Sequence, residues 1–366
     1  MIGLSQAAAA AAIHRTAPAP RAGDIEVVQY LRAIAALMVV WHHAAGQVPG
    51  VSSLVPWVFG TSGVDIFFVI SGFIMVVTTT GTDTRPADFW RRRVVRVVPL
   101  YWLLTLLMVA MALAAPGLFK TLKVAPVTLL QSLFFIPHFS QSFPNQVYPL
   151  LVPGWTLNFE MFFYAVFGAF LVLPRHRRLM ALTTAFFILV GAGLAMGPFE
   201  SAAARTYTHP MLLEFLAGAC VGALWSRGQL HLPLAASLLM VACGVVMLVL
   251  RDSPPFGVFT QSIGAALIVP GALHLRFASW RSRVFRAIGD SSYSLYLTHL
   301  FTLGVMRMVW TRLVHSSPDA LTANTFMVLS LVACSLTAWY AYRWVEMPLL
   351  RSLNRAPKAP TGLSPR

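Results

Sequence analysis

The chain has 366 residues, 57% of them hydrophobic and 11% charged, with a mean hydropathy of +0.71. Soluble globular proteins carry about 25% charged residues, so this composition excludes a soluble fold and reads as an all-α polytopic membrane protein. A net charge of +15 would suggest nucleic acid in a soluble chain, but here the basic residues sit in short loops between apolar segments, where they read as topology signals, and no nucleic-acid partner is expected.

Residues 1–24 are rich in alanine and proline and lack an early basic stretch, so they read as a disordered cytoplasmic tail and not as a cleaved signal. Residues 25–353 form the membrane domain, and residues 354–366 form a second cytoplasmic tail. Ten spans are expected: Val27–Gly46, Gly60–Thr79, Val97–Ala115, Pro153–Leu173, Leu179–Gly197, Pro210–Trp225, Leu232–Leu250, Val258–Leu275, Ile288–Trp310 and Thr325–Tyr342. Loop charges agree with that count. With the N-terminus inside, Arg85 with Arg91–Arg96, Arg175–Arg178, Arg276–Arg286 and the Arg343–Arg366 tail all fall on the cytoplasmic side. Counting the apolar run Val124–Ile136 as a span would place Arg175–Arg178 outside. It is short and flanked by Pro126 and Pro137, so it is expected to re-enter or to lie on the outer surface. Cys220, Cys243 and Cys334 show no metal-ligand spacing, and no metal is expected.

The first span, LRAIAALMVVWHHAAG, carries Arg32 near its inner end and His42 and His43 near its outer end. Eleven positions separate Arg32 from His43, which is about 20° past three helical turns, so the two leave one face about 16 Å apart along the axis. Ionisable groups are expensive inside a membrane and mark function by default. Alternatively Arg32 snorkels to the headgroups and His43 is a core histidine.

In the second span Asp65 enters at a depth similar to His43 across a short loop. An imidazole and a carboxylate so placed form either a catalytic base with its orienting acid, or a structural or pH-sensing pair. Ser62, Gly63, Ser71 and Gly72 suit close backbone approach. Next, FWRRRVVRVVPLYW clusters Arg92, Arg93 and Arg96 on one helical face, either as cytoplasmic anchors or as an anion clamp for phosphates. In PGWTLNFEMFFY, Glu160 enters from the outer side with Tyr164 one turn beyond, and Glu214 does the same in the sixth span. Asp65, Glu160 and Glu214 would then share one layer with His43 and line one polar cavity. The ninth span places Ser292, Tyr296 and His299 on one face, to line that cavity or to bond between helices. Glu346, near the inner end of the last span, should pair with a loop arginine.

Six pieces in order, YLRAIAALMVVWHH, GVDIFFVISGF, FWRRRVVRVVP, PGWTLNFEMFFY, IGDSSYSLYLTH and RWVEMP, resemble the membrane-bound acyltransferase 3 family and its bacterial exopolysaccharide O-acetyltransferase branch. The resemblance covers roughly Ile25 to Leu353. It implies ten spans with a cytoplasmic N-terminus in a bacterial inner membrane. It also implies transfer from cytoplasmic acetyl-CoA to a hydroxyl of an exported polysaccharide or its lipid-linked repeat unit. The arginine-ten-histidine spacing selects His43 over His42 as the catalytic residue. Asp65 is implied as its partner, and Arg32, Arg92, Arg93 and Arg96 as the donor site. The chain is expected to lack the extra span and appended hydrolase-like domain of longer members, and its arginine run is denser than the motif requires. Within that mechanism Glu160, with the ring of Trp155 stacking, would hold the sugar, and Tyr164, Glu214, Tyr296 and His299 would line its site. Membrane lipid and the polysaccharide export machinery are expected partners. The rival reading is a flippase or proton-coupled permease using His43 and Asp65 as a relay, although neither internal repeats nor broken spans of the transporter kind are present.

Overall fold

A computed structural model describes residues 22–56, 58–118, 122–250, 257–275, 282–315 and 318–354. Both expected tails, apart from residues 22–24 and 354, and residues 276–281 of the third basic group lie outside the described residues. Helix α1 (Ala22–Ala45) starts inside the stretch read as a tail.

The described residues are helical, with no strand among them. After α1 come α2 (Gly63–Thr79), α3 (Pro86–Ala114), α4 (Pro126–Leu133), α5 (Trp155–Phe170) and α6 (Arg175–Met196). They are followed by α7 (Ala202–Tyr207), α8 (Leu212–Ser226), α9 (Leu234–Val249), α10 (Gly257–His274) and α11 (Arg283–Asp290). The chain closes with α12 (Ser292–Leu313), α13 (Ala320–Ala341), a π-helical turn (Tyr342–Glu346) and α14 (Met347–Leu353). Among the described residues, four helical runs are long and apolar enough to cross a membrane: Phe59–Thr79, Pro86–Ala114, Arg175–Met196 and Ala320–Leu353.

Two expected boundaries move. The third span was expected to open at Val97, after the arginines, but α3 begins at Pro86. Proline suits the first helical turn because its missing N–H has no intrahelical partner there. The arginine run is therefore helical and has a buried side. The segment Val124–Ile136 yields only the eight residues of α4, about 12 Å, which is too short to cross. Its end is tied to α3 by Tyr101 Oη donating to the Ser132 carbonyl (3.1 Å) and Trp102 Nε1 donating to the Leu133 carbonyl (2.7 Å). Phe135 then turns the chain with φ 56°. At the start of α13, Asp319 accepts from the Thr322 N–H (2.7 Å), and this bond with that of the Thr322 hydroxyl holds its carboxyl below the usual carboxylate range.

Helix α1 sits at the centre and packs on α2, α10, α11, α12 and α13. The closest helix pair is α2 with α8. Gly72 rests on the Phe215 carbonyl and Gly218 on the Val69 carbonyl, so the two backbones touch at reciprocal glycines. Aromatic side chains of α2, α3, α5 and α8 fill the core beside this crossing: Phe68 stacks on Phe215 at 4.4 Å and Phe163 on Phe215 at 4.6 Å.

Candidate active site

Helical phase decides what each polar residue meets. On α2, Val64, Phe67, Phe68, Ser71, Ile74 and Met75 form one stripe, and that stripe lines a cavity of about 160 Å³. It runs eleven residues along α2, about 16 Å of helix. The facing walls are Arg93, Arg96 and Val97 of α3, Thr156, Glu160 and Tyr164 of α5, Arg32 of α1, and Ser292, Tyr293 and Tyr296 of α12.

The three guanidinium groups are held differently. Arg32 donates through Nε (3.1 Å) and Nη2 (2.9 Å) to Ser292 Oγ. Arg93 lies against the rings of Phe89 (5.5 Å) and Tyr164 (5.9 Å), and its buried Nε has no hydrogen-bond partner. Arg96 is ion-paired with Glu346, which also accepts from Ser294 Oγ at 2.6 Å. Among the described residues, neither Arg32 nor Arg93 has a carboxylate at ion-pairing distance. Glu160, the other carboxylate in the cavity, instead accepts from the hydroxyls of Tyr164 and Ser71 (3.3 Å for the latter). Three guanidinium groups face one lining carboxylate, Glu160, and two of them make no ion pair among the described residues, so the cavity favours an anionic ligand.

Glu346, expected to meet a loop arginine, meets one inside a helix 250 residues away in sequence. It is buried at the end of the π turn, a feature that concentrates at functional sites. Glu346→Gln is expected to lower stability by about 2 kcal/mol, less than the about 3–5 of a fully buried pair because the Arg96 side chain is 30% exposed. A thermal melt in detergent measures this, and an unchanged midpoint would show the pair to be neutral.

Tyr296 belongs to the lining, and its Oη receives a hydrogen bond from Thr156 Oγ1 (2.9 Å). Behind Tyr296 lies His299, with ring centroids 6.0 Å apart, and behind that His43, with centroids 5.0 Å apart. His299 Nδ1 donates to the Tyr296 carbonyl (2.7 Å), because a carbonyl only accepts. Its Nε2 is then an acceptor, fully buried and without a partner. Arg32 and His43 do share a face of α1, and that face runs along α12: Arg32 meets Ser292 and His43 meets His299.

The family model for an acyltransferase domain, Acyl_transf_3, matches residues 25–343. The chain belongs to the acyltransferase 3 family. It is 40% identical over 312 residues to the exopolysaccharide production protein ExoZ of Rhizobium meliloti, covering 84% of this chain and 94% of that protein. It is 29% identical over 353 residues to the putative membrane-bound transacylase BcsY of Komagataeibacter xylinus, covering 90% of this chain and 84% of that one. It is 26% identical over 371 residues to the putative peptidoglycan O-acetyltransferase YrhL of Bacillus subtilis, covering 89% of this chain and 55% of the longer protein. No solved structure matches.

The arrangement in this acyltransferase differs from the sequence expectation at three places. First, His43 was expected to pair with Asp65. The imidazole meets His299 and His42 instead, while Asp65 lies beside Glu214, which also accepts from Ser262 of α10 (2.7 Å). The cause is rotation. Asp65, Val69 and Gly72 share the α2 stripe that faces α8, about 100° from the cavity stripe. On α1 it is His42 that packs against Gly60, at the entry to α2, and His43 is turned away. Second, His43 and the acids do not share one cavity, and neither His43 nor His299 lines the one that holds Glu160. Glu160 lies with the arginines, whereas Asp65 and Glu214 join α2 to α8 away from it. Third, Arg92 is exposed and outside the cavity, and Trp155 packs between Tyr148 (6.5 Å) and Phe159 (5.9 Å), also outside it. Tyr293, missed in the sequence, lies under Arg96 at 5.5 Å and donates to the Val97 carbonyl (2.6 Å). Its adjacency to Ser292 was the available signal.

Proposed function

We propose that this chain is a ten-span enzyme of the bacterial inner membrane, with both termini cytoplasmic. It moves an acetyl group from cytoplasmic acetyl-CoA to a hydroxyl of an exported polysaccharide or its lipid-linked repeat unit. The observation that carries the reading is the convergence of Arg32 and Arg93, unpaired with any described carboxylate, on one cavity whose lining Tyr296 lies beside the His299–His43 pair.

Arg32, Arg93 and Arg96 hold the phosphates of the donor, as guanidinium forks suit them. The cavity accepts the extended thioester arm between Glu160 and the α2 stripe. The thioester end passes Tyr296 to reach His43, which takes the proton of the sugar hydroxyl as that oxygen attacks the thioester carbonyl. The carbon–sulfur bond breaks, the ester forms, and the thiolate leaves to be protonated as free CoA. Prior transfer of the acetyl group to His43 gives the same products in two steps. His299 packs against the imidazole between it and Tyr296, in the place expected of Asp65.

The test uses inverted membrane vesicles supplied with radiolabelled acetyl-CoA. Labelled ester on the glycan is expected with the wild type, and Arg93→Ala is expected to raise the apparent KM for acetyl-CoA about 10–100-fold, the worth of a charge-assisted contact. Ester formation that does not depend on acetyl-CoA would overturn the donor and favour a transport reading.

A further inference from the structure

The connection between α3 and α5 holds a second cavity, far from the arginines. Its lining reaches Met108 of α3, fifteen residues beyond Arg93, or about 22 Å along that helix. The two cavities therefore lie towards opposite ends of one membrane-crossing helix. The connection's last stretch, residues 134–154, holds no α-helix and is longer than the about 12–15 residues of ordinary loops, a length that usually serves a function. It is also built firmly: Ser132 Oγ accepts from the Leu150 N–H (2.9 Å) and donates to the Thr128 carbonyl (2.7 Å), and the Ser140 N–H donates to the Gln146 carbonyl (2.8 Å).

This cavity, of about 120 Å³, is lined by Lys123, His138, Gln141, Ser142, Phe143 and Tyr148 over an apolar floor. His138 Nδ1 donates to the Ile136 carbonyl (3.0 Å), which leaves Nε2 as an acceptor. The Lys123 ammonium and the Gln141 carboxamide make no hydrogen bond to described protein groups. Phe143 and Tyr148 meet edge to face at 6.0 Å. Donors and acceptors interleaved beside ring faces suit a ligand whose neighbouring hydroxyls both donate and accept, and whose C–H face is apolar. That is a pyranose ring. A relay of packed residues links this cavity to the first one. Tyr148 touches Trp155 at the head of α5, and the next residue, Thr156, bonds the Tyr296 that lines the donor cavity.

We infer that this cavity is the acceptor subsite, which binds one neutral sugar ring of the glycan on the outer face. The inference rests on the proposed transfer to a carbohydrate and deepens it by placing the acceptor. Its test is saturation-transfer NMR on the full-length protein in detergent, with methyl glycosides of glucose, galactose and N-acetylglucosamine as probes. Saturation transfer to at least one probe is expected in the wild type and equally in His43→Ala, because contact needs no chemistry. Gln141→Ala and Tyr148→Ala should each lower it at least fivefold. Gln141 is exposed and bonds no described protein group, so its loss cannot act through unfolding. Transfer to none of the three probes, or equal transfer in wild type and Gln141→Ala, would overturn the inference. A His43→Ala enzyme that still acetylates would instead overturn the catalytic reading and leave this one standing.

Discussion

His43→Ala is expected to reduce acetyl transfer about 10³-fold at matched protein levels, within the range of a positioned general base. The ring lies 5.0 Å from that of His299, which lies 6.0 Å from that of the cavity-lining Tyr296. His42→Ala provides the contrast. His42 packs on Gly60, where α1 meets the entry to α2, so its loss should disturb packing and alter the rate only a few-fold. Initial rates of glycan ester formation in reconstituted membranes measure both. A His43→Ala rate within tenfold of wild type removes the imidazole from the chemistry. Asp65→Asn is informative in the same assay: if Asp65 serves the α2–α8 contact, it should lower the melting midpoint more than the catalytic rate.

The second large effect falls on the fold. Gly72→Val is expected to prevent accumulation of folded protein, because a Cβ there would overlap the Phe215 carbonyl and the Ala219 nitrogen. Overpacking against side chains costs about 1–3 kcal/mol. Here the obstruction is backbone, and a helix backbone cannot turn aside as a side chain can. Gly218→Val meets the Val69 carbonyl in the reciprocal way and should behave alike. Size-exclusion profiles of detergent-solubilised protein give the answer, and a monodisperse peak at wild-type yield for Gly72→Val would show that the helices can separate without penalty. Gly191→Val, where a Cβ would meet nothing within 4 Å, is the matched control and should be tolerated.

What could be read from the residues was whatever helical periodicity alone determines. Arg32 and His43 share a face because eleven residues nearly close three turns, and Ser292, Tyr296 and His299 share one for a similar reason. What could not be read was which neighbour each face would meet. Asp65 is near His43 in sequence, and proximity suggested a pair. A single step of about 100° on α2 turns the carboxyl towards α8 and leaves Val64 and Ser71 to face the cavity. The same step separates exposed Arg92 from Arg93, which no count of arginines could resolve. Glu346 and Arg96 meet across 250 residues, a distance at which one sequence carries no pairing signal.

The phenol in the cavity wall has a consequence for the cell. Tyr296 is locked to Thr156 and flanked by Phe67 at 6.2 Å, and Trp155 and Phe159 pack edge to face beside Thr156. A continuous water-filled bore open at both mouths would leak ions and discharge the electrochemical gradient that drives ATP synthesis. Packed aromatic side chains around Tyr296 would keep the proposed acetyl transfer from opening such a path, so the membrane would stay electrically sealed.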